Sequence, residues 1–149
     1  MKAIGSRKRV LFQSGGTRIK LMIRRMCCLC CGRIHHELPD LLVPYKRYGS
    51  ASIESALNRE GVLVVASDDS TIYRWRKWFQ AVAWQLYSIL NTLAIRCEGP
   101  LEALPEASAS LLRTLRQLTG ASPGWLSRVV HLVVNTNNWQ QTRSAFLSG

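Results

Sequence analysis

Four cysteines fall within five residues, Cys27-Cys28-Leu29-Cys30-Cys31, and Gly32 follows them. Cys28 and Cys31 form a C-x-x-C with glycine next, the spacing at which a tight turn lets two thiolates reach one zinc ion while backbone amides face the sulfurs. Cys27 and Cys30 make an overlapping pair in another register. A structural zinc site takes four ligands, usually from two such knuckles, and the chain contains no second C-x-x-C outside this run. His35, His36 or a cysteine from a second chain are the candidates to complete Zn2+ coordination, although both histidines lie close behind Cys31. The competing reading is inert thiols at a strand turn. A thioredoxin-like redox role is disfavoured, because the pair does not open a helix in a βαβ pattern.

The second constellation is Thr71-Ile-Tyr-Arg-Trp-Arg-Lys-Trp-Phe79. Wound at 100° per residue, Ile72, Trp75 and Phe79 share one stripe, while Tyr73, Arg74 and Lys77 project opposite and Arg76 flanks them. A recognition helix needs that division, with one face docked on a partner helix and hydroxyls and cations offered to phosphates and base edges. Further cations at Lys20, Arg24, Arg25, Lys46 and Arg47 would supply phosphate contacts. A solvated basic helix face is the plainer alternative.

These groups must be held by something. Val10, Phe12, Ile19, Leu21 and Ile23 alternate with polar or long side chains around Ser14-Gly15-Gly16, which predicts a β-hairpin over 8–26. Residues 32–38 predict a returning strand ended by Pro39. Helices are predicted from Ser50, as cap, to Glu60, from about Ser70 to Arg96 behind the caps Asp68-Asp69-Ser70, from Glu106 to Leu118, and from Pro123 to Val134 with Ser122 as cap. Residues 62–67 form a short apolar piece, either strand or buried loop. His131, beside Val130 and Leu132, is expected to be packed, and Trp84 to mark a dimer or domain contact. Trp139, Arg143 and Phe146 would cover the helical core or form a docking peptide.

The chain has 149 residues and a formal charge of +11. Residues 1–50 alone carry +9, residues 51–100 are neutral, and 101–149 carry +2. A basic third on a neutral body points to a polyanion partner, nucleic acid before anionic membrane. The longest apolar run, Ala81 to Ile95, is broken by Gln85, Ser88, Asn91 and Thr92 and is not expected to span a bilayer. With no apolar leader after the first basic residues, and with clustered thiols that suit a reducing compartment, the expected location is cytoplasmic. An enzyme is not expected. The carboxylates are few, none lies beyond Glu106, and the predicted elements offer no βαβ core to bring three together for a metal-dependent nuclease. No orienting motif accompanies Cys or His for nucleophilic catalysis, and no small-molecule substrate is implied.

Ile4–Arg9, Ile23–Asp40, Val43–Arg47, Ser70–Arg74, Trp139 and Thr142–Gly149 together resemble an uncharacterised bacterial family. That family pairs an N-terminal transposase-like zinc ribbon with helix-turn-helix-like helices. The resemblance implies that Cys28 and Cys31 are the surviving ligand pair, and that an earlier Cys-Pro-x-Cys-Gly knuckle is missing, through a misplaced start or a degraded copy. The expected fold class is mainly α with a small N-terminal antiparallel β module, a partial zinc ribbon, and about four helices. Its expected segments are a basic β module at 1–48, a helix-turn-helix-like segment with the long helix at 49–97, and a C-terminal helical segment and tail at 98–149. The function expected is DNA binding of mobile-element or regulatory type, with a homodimer allowed. A protein-interaction module and a non-functional remnant are the alternatives.

Overall fold

Alternating apolar and long polar side chains draw the N-terminal third into strands, because only the extended conformation puts one set on each face. In a computed structural model, which describes residues 1–58, 65–98 and 110–139, β1 (Lys2–Phe12) and β2 (Arg18–Cys27) pair antiparallel and β3 (Ile34–His36) joins β2. The hairpin turns where expected, with Gln13 N donating to Thr17 O at 2.9 Å and Gly16 at φ +80°. Its strands run further than expected, because pairing continues past a bulge between Ala3 and Gly5 to Lys2.

Four helices follow among the described residues: α1 (Ser50–Asn58), α2 (Asp69–Glu98), α3 (Leu111–Thr119) and α4 (Trp125–Asn135). The chain is therefore mainly α with a small antiparallel sheet, as its patterning predicts. Several local expectations change. Ser50 is already helical, and its hydroxyl donates to Asp40 O rather than capping. The apolar piece at 62–67 lies mostly outside the described residues. Val65–Ser67 is irregular, and Ala66 N donates to Ser14 O at 2.7 Å. The third helix starts later than Glu106 because Ser110 is extended (φ −65°, ψ 135°) and its hydroxyl accepts from Arg113 N; residues 106–109 lie outside the described part.

The fourth helix shows the largest departure. Neither Ser122 nor Pro123 begins it. Gly124, at φ +88°, is the N-cap and brings no side chain to the first turn. Glu54 of α1 does that work across the fold, accepting from Gly124 N at 2.8 Å and Leu126 N at 3.0 Å. Ser122 instead gives its carbonyl and hydroxyl oxygens to the Arg128 guanidinium, which also gathers the carbonyls of Thr119, Gly120 and Pro123.

Apolar side chains of all four helices merge into one core. Trp125 is fully buried at its centre, edge-on to Phe79 at 5.8 Å, with Nε1 donating to Asn58 Oδ1 at 3.1 Å. A second, smaller core of Leu11, Ile23 and Leu42 lies under the sheet. The two are joined by a run of rings, Phe12 stacked on Tyr48 at 5.3 Å and Tyr48 edge-on to Trp75 at 4.9 Å.

Glu54 is 6% exposed, so removing its carboxylate leaves one part-buried and one buried amide donor without it. Glu54→Ala is expected to destabilise the chain by roughly 3 kcal/mol, read as a lower urea midpoint at unchanged slope. A midpoint equal to wild type would mean that water replaces the carboxylate at no cost.

Candidate nucleic-acid interface

The register sorts the hairpin's cations. Leu11 pairs with Ile19, Arg9 with Leu21 and Arg7 with Ile23, so these residues share the face that covers the small core. Lys8, Val10, Arg18, Lys20, Met22 and Arg24 occupy the opposite face, and all are exposed. Of the expected phosphate contacts, Lys20 and Arg24 stand on this open face. Arg25 lies on the other, opposite His36 of β3. Arg24 Nε also meets Glu37 at 3.2 Å, an exposed ion pair of small energetic weight. Lys8 and Arg18 join the open face although only the pairing reveals Lys8's place there. Arg18 lies 5.2 Å over the Phe12 ring, which fixes its direction.

Two basic side chains serve the fold itself. Arg9 Nη2 donates to Lys46 O at 2.7 Å and Val43 O at 3.3 Å. Burial, and then the neighbouring Arg7 charge, pull its pKa down. Lys46, expected at phosphate, places Nζ 4.4 Å over the Trp78 ring. Burial lowers its pKa from 10.5 to about 8. Lys46 N donates to Val43 O at 3.1 Å and closes a turn through Pro44 and Tyr45. Tyr45 stands there at φ +64°, a left-handed conformation that costs a non-glycine residue about 1 kcal/mol. The residue is 70% exposed. Arg47 follows, exposed, its carbonyl accepting from Phe12 N.

Between this turn, the sheet and the end of α4 lies a cleft of about 870 Å3. Arg7, Lys8, Arg9, Arg18, Lys46, Arg47, His35 and His36 line it together with Phe12, Tyr45 and Trp139, and among the described residues no carboxylate does. A wall of that composition carries positive potential into a concave, low-dielectric space.

The first turns of α2 divide as their spacing predicts. Ile72, Trp75 and Phe79 are buried, Tyr73, Arg74 and Lys77 exposed, and Thr71 and Arg76 intermediate. Asp68 Oδ1 caps the helix by accepting from Thr71 N at 2.6 Å. That amide, with the Thr71 and Ser70 hydroxyls and the Arg74 charge, holds the carboxyl below its usual range. Arg74 reaches back to Ser70 Oγ at 3.1 Å. Arg76 turns the other way, and its Nε donates to Ala56 O at 2.9 Å near the end of α1. Trp84 is 61% exposed and rests on Tyr87.

The cysteine loop is a turn, with Gly32 N donating to Cys28 O at 2.9 Å and Gly32 at φ +68°. The amides of Cys31 and Cys30 point at the Cys28 sulfur and, with their thiols, lower its pKa from 9.0 to about 7. That is the local geometry of one metal knuckle. Cys27 turns its thiol toward Cys28 O and Gly32 O, and all four thiols are free. His35 pairs with Met26 and His36 with Arg25, on alternate faces of β3. Among the described residues, no three His, Cys, Asp or Glu side chains are grouped to hold a metal. The described donors fit half a zinc site and do not by themselves complete one.

His131 is a correction. It is not packed; its side chain is 51% exposed, and Nδ1 lies 2.7 Å from Asp40 Oδ1. The apolar neighbours that suggested burial, Val130 and Leu132, face different ways, since Val130 is buried and Leu132 is 42% exposed. Trp139 is half-buried and packs against the main core; Arg143 and Phe146 lie outside the described residues. No described helix is long and apolar enough to cross a membrane.

Residues 1–75 match a family model described as a domain of unknown function, DUF6431. Comparison with curated proteins and with solved structures found no match.

The Lys46 site sets a pH dependence. Its pKa is lower folded than unfolded, so between about pH 8 and 10.5 the unfolded state binds more protons, and stability rises with pH across that window. The melting temperature of wild type relative to Lys46→Met is expected to climb from pH 7 to pH 10. A difference that stays flat would show that the ammonium keeps its water shell.

Proposed function

The chain belongs to the DUF6431 family, and from its open basic sheet face we propose that it is a non-enzymatic nucleic-acid-binding protein of mobile-element or regulatory type. The observation that carries this reading is the row Lys8, Arg18, Lys20 and Arg24 on one exposed hairpin face. A two-stranded ribbon fits the major groove of duplex DNA, and its outward cations can neutralise phosphates on the groove walls. Arg74 and Lys77, with Thr71 and Tyr73, offer a second set of donors at the start of α2, where the recognition-helix reading puts them. The zinc-ribbon reading enters through the Cys28–Gly32 knuckle, which would hold zinc only with ligands brought from elsewhere, such as a second chain. A cytoplasmic setting would keep its thiols reduced.

A second reading is favoured by α2 itself. Tyr73, Trp84 and Ile95 are 65%, 61% and 46% exposed. They recur every eleven residues, which places them along one stripe of the helix. A partner helix, including one from a second copy of this chain, would cover them.

Salt separates the two. Duplex-DNA affinity is expected to fall linearly on logarithmic axes as salt rises, and Lys20→Ala with Arg24→Ala to reduce that slope by about 2. Arg74→Ala with Lys77→Ala tests the helix in the same way. Binding that ignores salt, or variants with the wild-type slope, would remove the phosphate assignment and leave the apolar stripe as the binding surface.

A further inference from the structure

We propose that the cleft beside the Val43–Lys46 turn takes a single-stranded polynucleotide, with the Tyr45 ring as stacking platform for a base and Arg7, Lys8 and Arg47 as phosphate contacts. This rests on the nucleic-acid reading and names a second substrate form for it.

Three independent observations converge here. The first is electrostatic. Among the described residues, the cleft walls carry cations and histidines and no carboxylate. The second is shape. A volume of about 870 Å3 is that of a small-ligand site, with room for a few nucleotides and none for a double helix. The third is conformational. Tyr45 occupies the position of a Pro-containing turn where a positive φ normally selects glycine or asparagine. The turn carries a large side chain on a strained backbone at the edge of a basic cleft, and the residue is 70% exposed. Strain of this kind is characteristic of functional positions. Stacked aromatics beside a cationic track are the recurring means of holding unpaired bases, because every base has a π-face and every linkage a charge. The turn is held on both sides of Tyr45, since Pro44 is buried and Lys46 lies over Trp78.

The strain makes the test discriminating. Tyr45→Gly relieves the left-handed conformation and removes the platform, so its melting temperature is expected to equal or exceed that of wild type while binding weakens. Using the full chain, fluorescence anisotropy would be measured with labelled oligo(dT), oligo(rU) and a labelled duplex of equal length. For the single strands, Tyr45→Gly is expected to weaken binding about tenfold, and Tyr45→Phe, which keeps the ring, to bind like wild type. For the duplex, Tyr45→Gly is expected to match wild type. The tighter of the two oligomers identifies the strand as DNA or RNA. Wild-type affinity for both oligomers in Tyr45→Gly, or a Phe variant as weak as the Gly variant, overturns the proposal. If the duplex binds with a salt slope and the oligomers do not bind, this inference fails and the duplex reading stands. If neither binds, both fail.

Discussion

The helical body depends on one buried carboxylate. Helix α4 begins on Gly124, and the first amides of a helix have no partner within it. In this fold two of them, one part-buried at Gly124 and one buried at Leu126, point at α1. Glu54 meets two of these donors with its two oxygens, and a negative charge is favoured at that end of the helix dipole. The contact fixes α4 against α1 and so sets where Trp125, one residue beyond the cap, enters the core. Phe79 and Asn58 then pack around that indole, which ties α2 and the end of α1 to the same point.

A second group of contacts transfers this rigidity to the basic sheet. Phe12, Tyr48 and Trp75 form a continuous aromatic join, Ser14 Oγ lies 3.0 Å from Ser52 Oγ, and Asp40 reaches α4 through His131 and through the Ser127 hydroxyl. Polar contacts spaced around an apolar join resist rotation as well as separation. The open hairpin face, the Tyr45 turn and the first turns of α2 are therefore held in fixed relation, which would preorganise them for any ligand that touched more than one.

Periodicity predicted the elements well, because each amphipathic stretch needs only its own residues to declare a face. The hairpin, the long helix and the split between Ile72, Trp75, Phe79 and Tyr73, Arg74, Lys77 all follow from that. Contacts between distant segments did not declare themselves. Glu54 reads locally as an ordinary helix-surface acid, and Ser122-Pro123 as an ordinary helix start, until α1 and α4 are side by side. His131 misled for the same reason, since its partner, Asp40, lies in a loop far away in the chain. At the candidate interface, Lys20 and Arg24 are visible from alternation, whereas Lys8 needs the strand register, and Tyr45 needs the turn that puts it at positive φ. Proline at position 44 was the available signal for that turn, but tyrosine is not the residue that sequence rules expect after it.

The charge count of the N-terminal third overstates what it can offer a polyanion. Arg9 spends its guanidinium on backbone carbonyls, Lys46 its ammonium on an indole face, and Arg24 shares its charge with Glu37. Such groups gain less from a phosphate than free ones, because an existing contact must be given up or shared. Among the cations that remain, Lys20 stands on the open hairpin face, Arg7 and Arg47 line the cleft, and Lys8 and Arg18 belong to both. Counterion release follows the number of phosphates neutralised at once, so the salt response of this chain depends on which of those two surfaces a ligand can reach. A stiff duplex engages an extended, outward face. A flexible strand, able to bend its backbone and turn out its bases, is the form that can enter a concave one, and the fold presents both surfaces on the same short sheet.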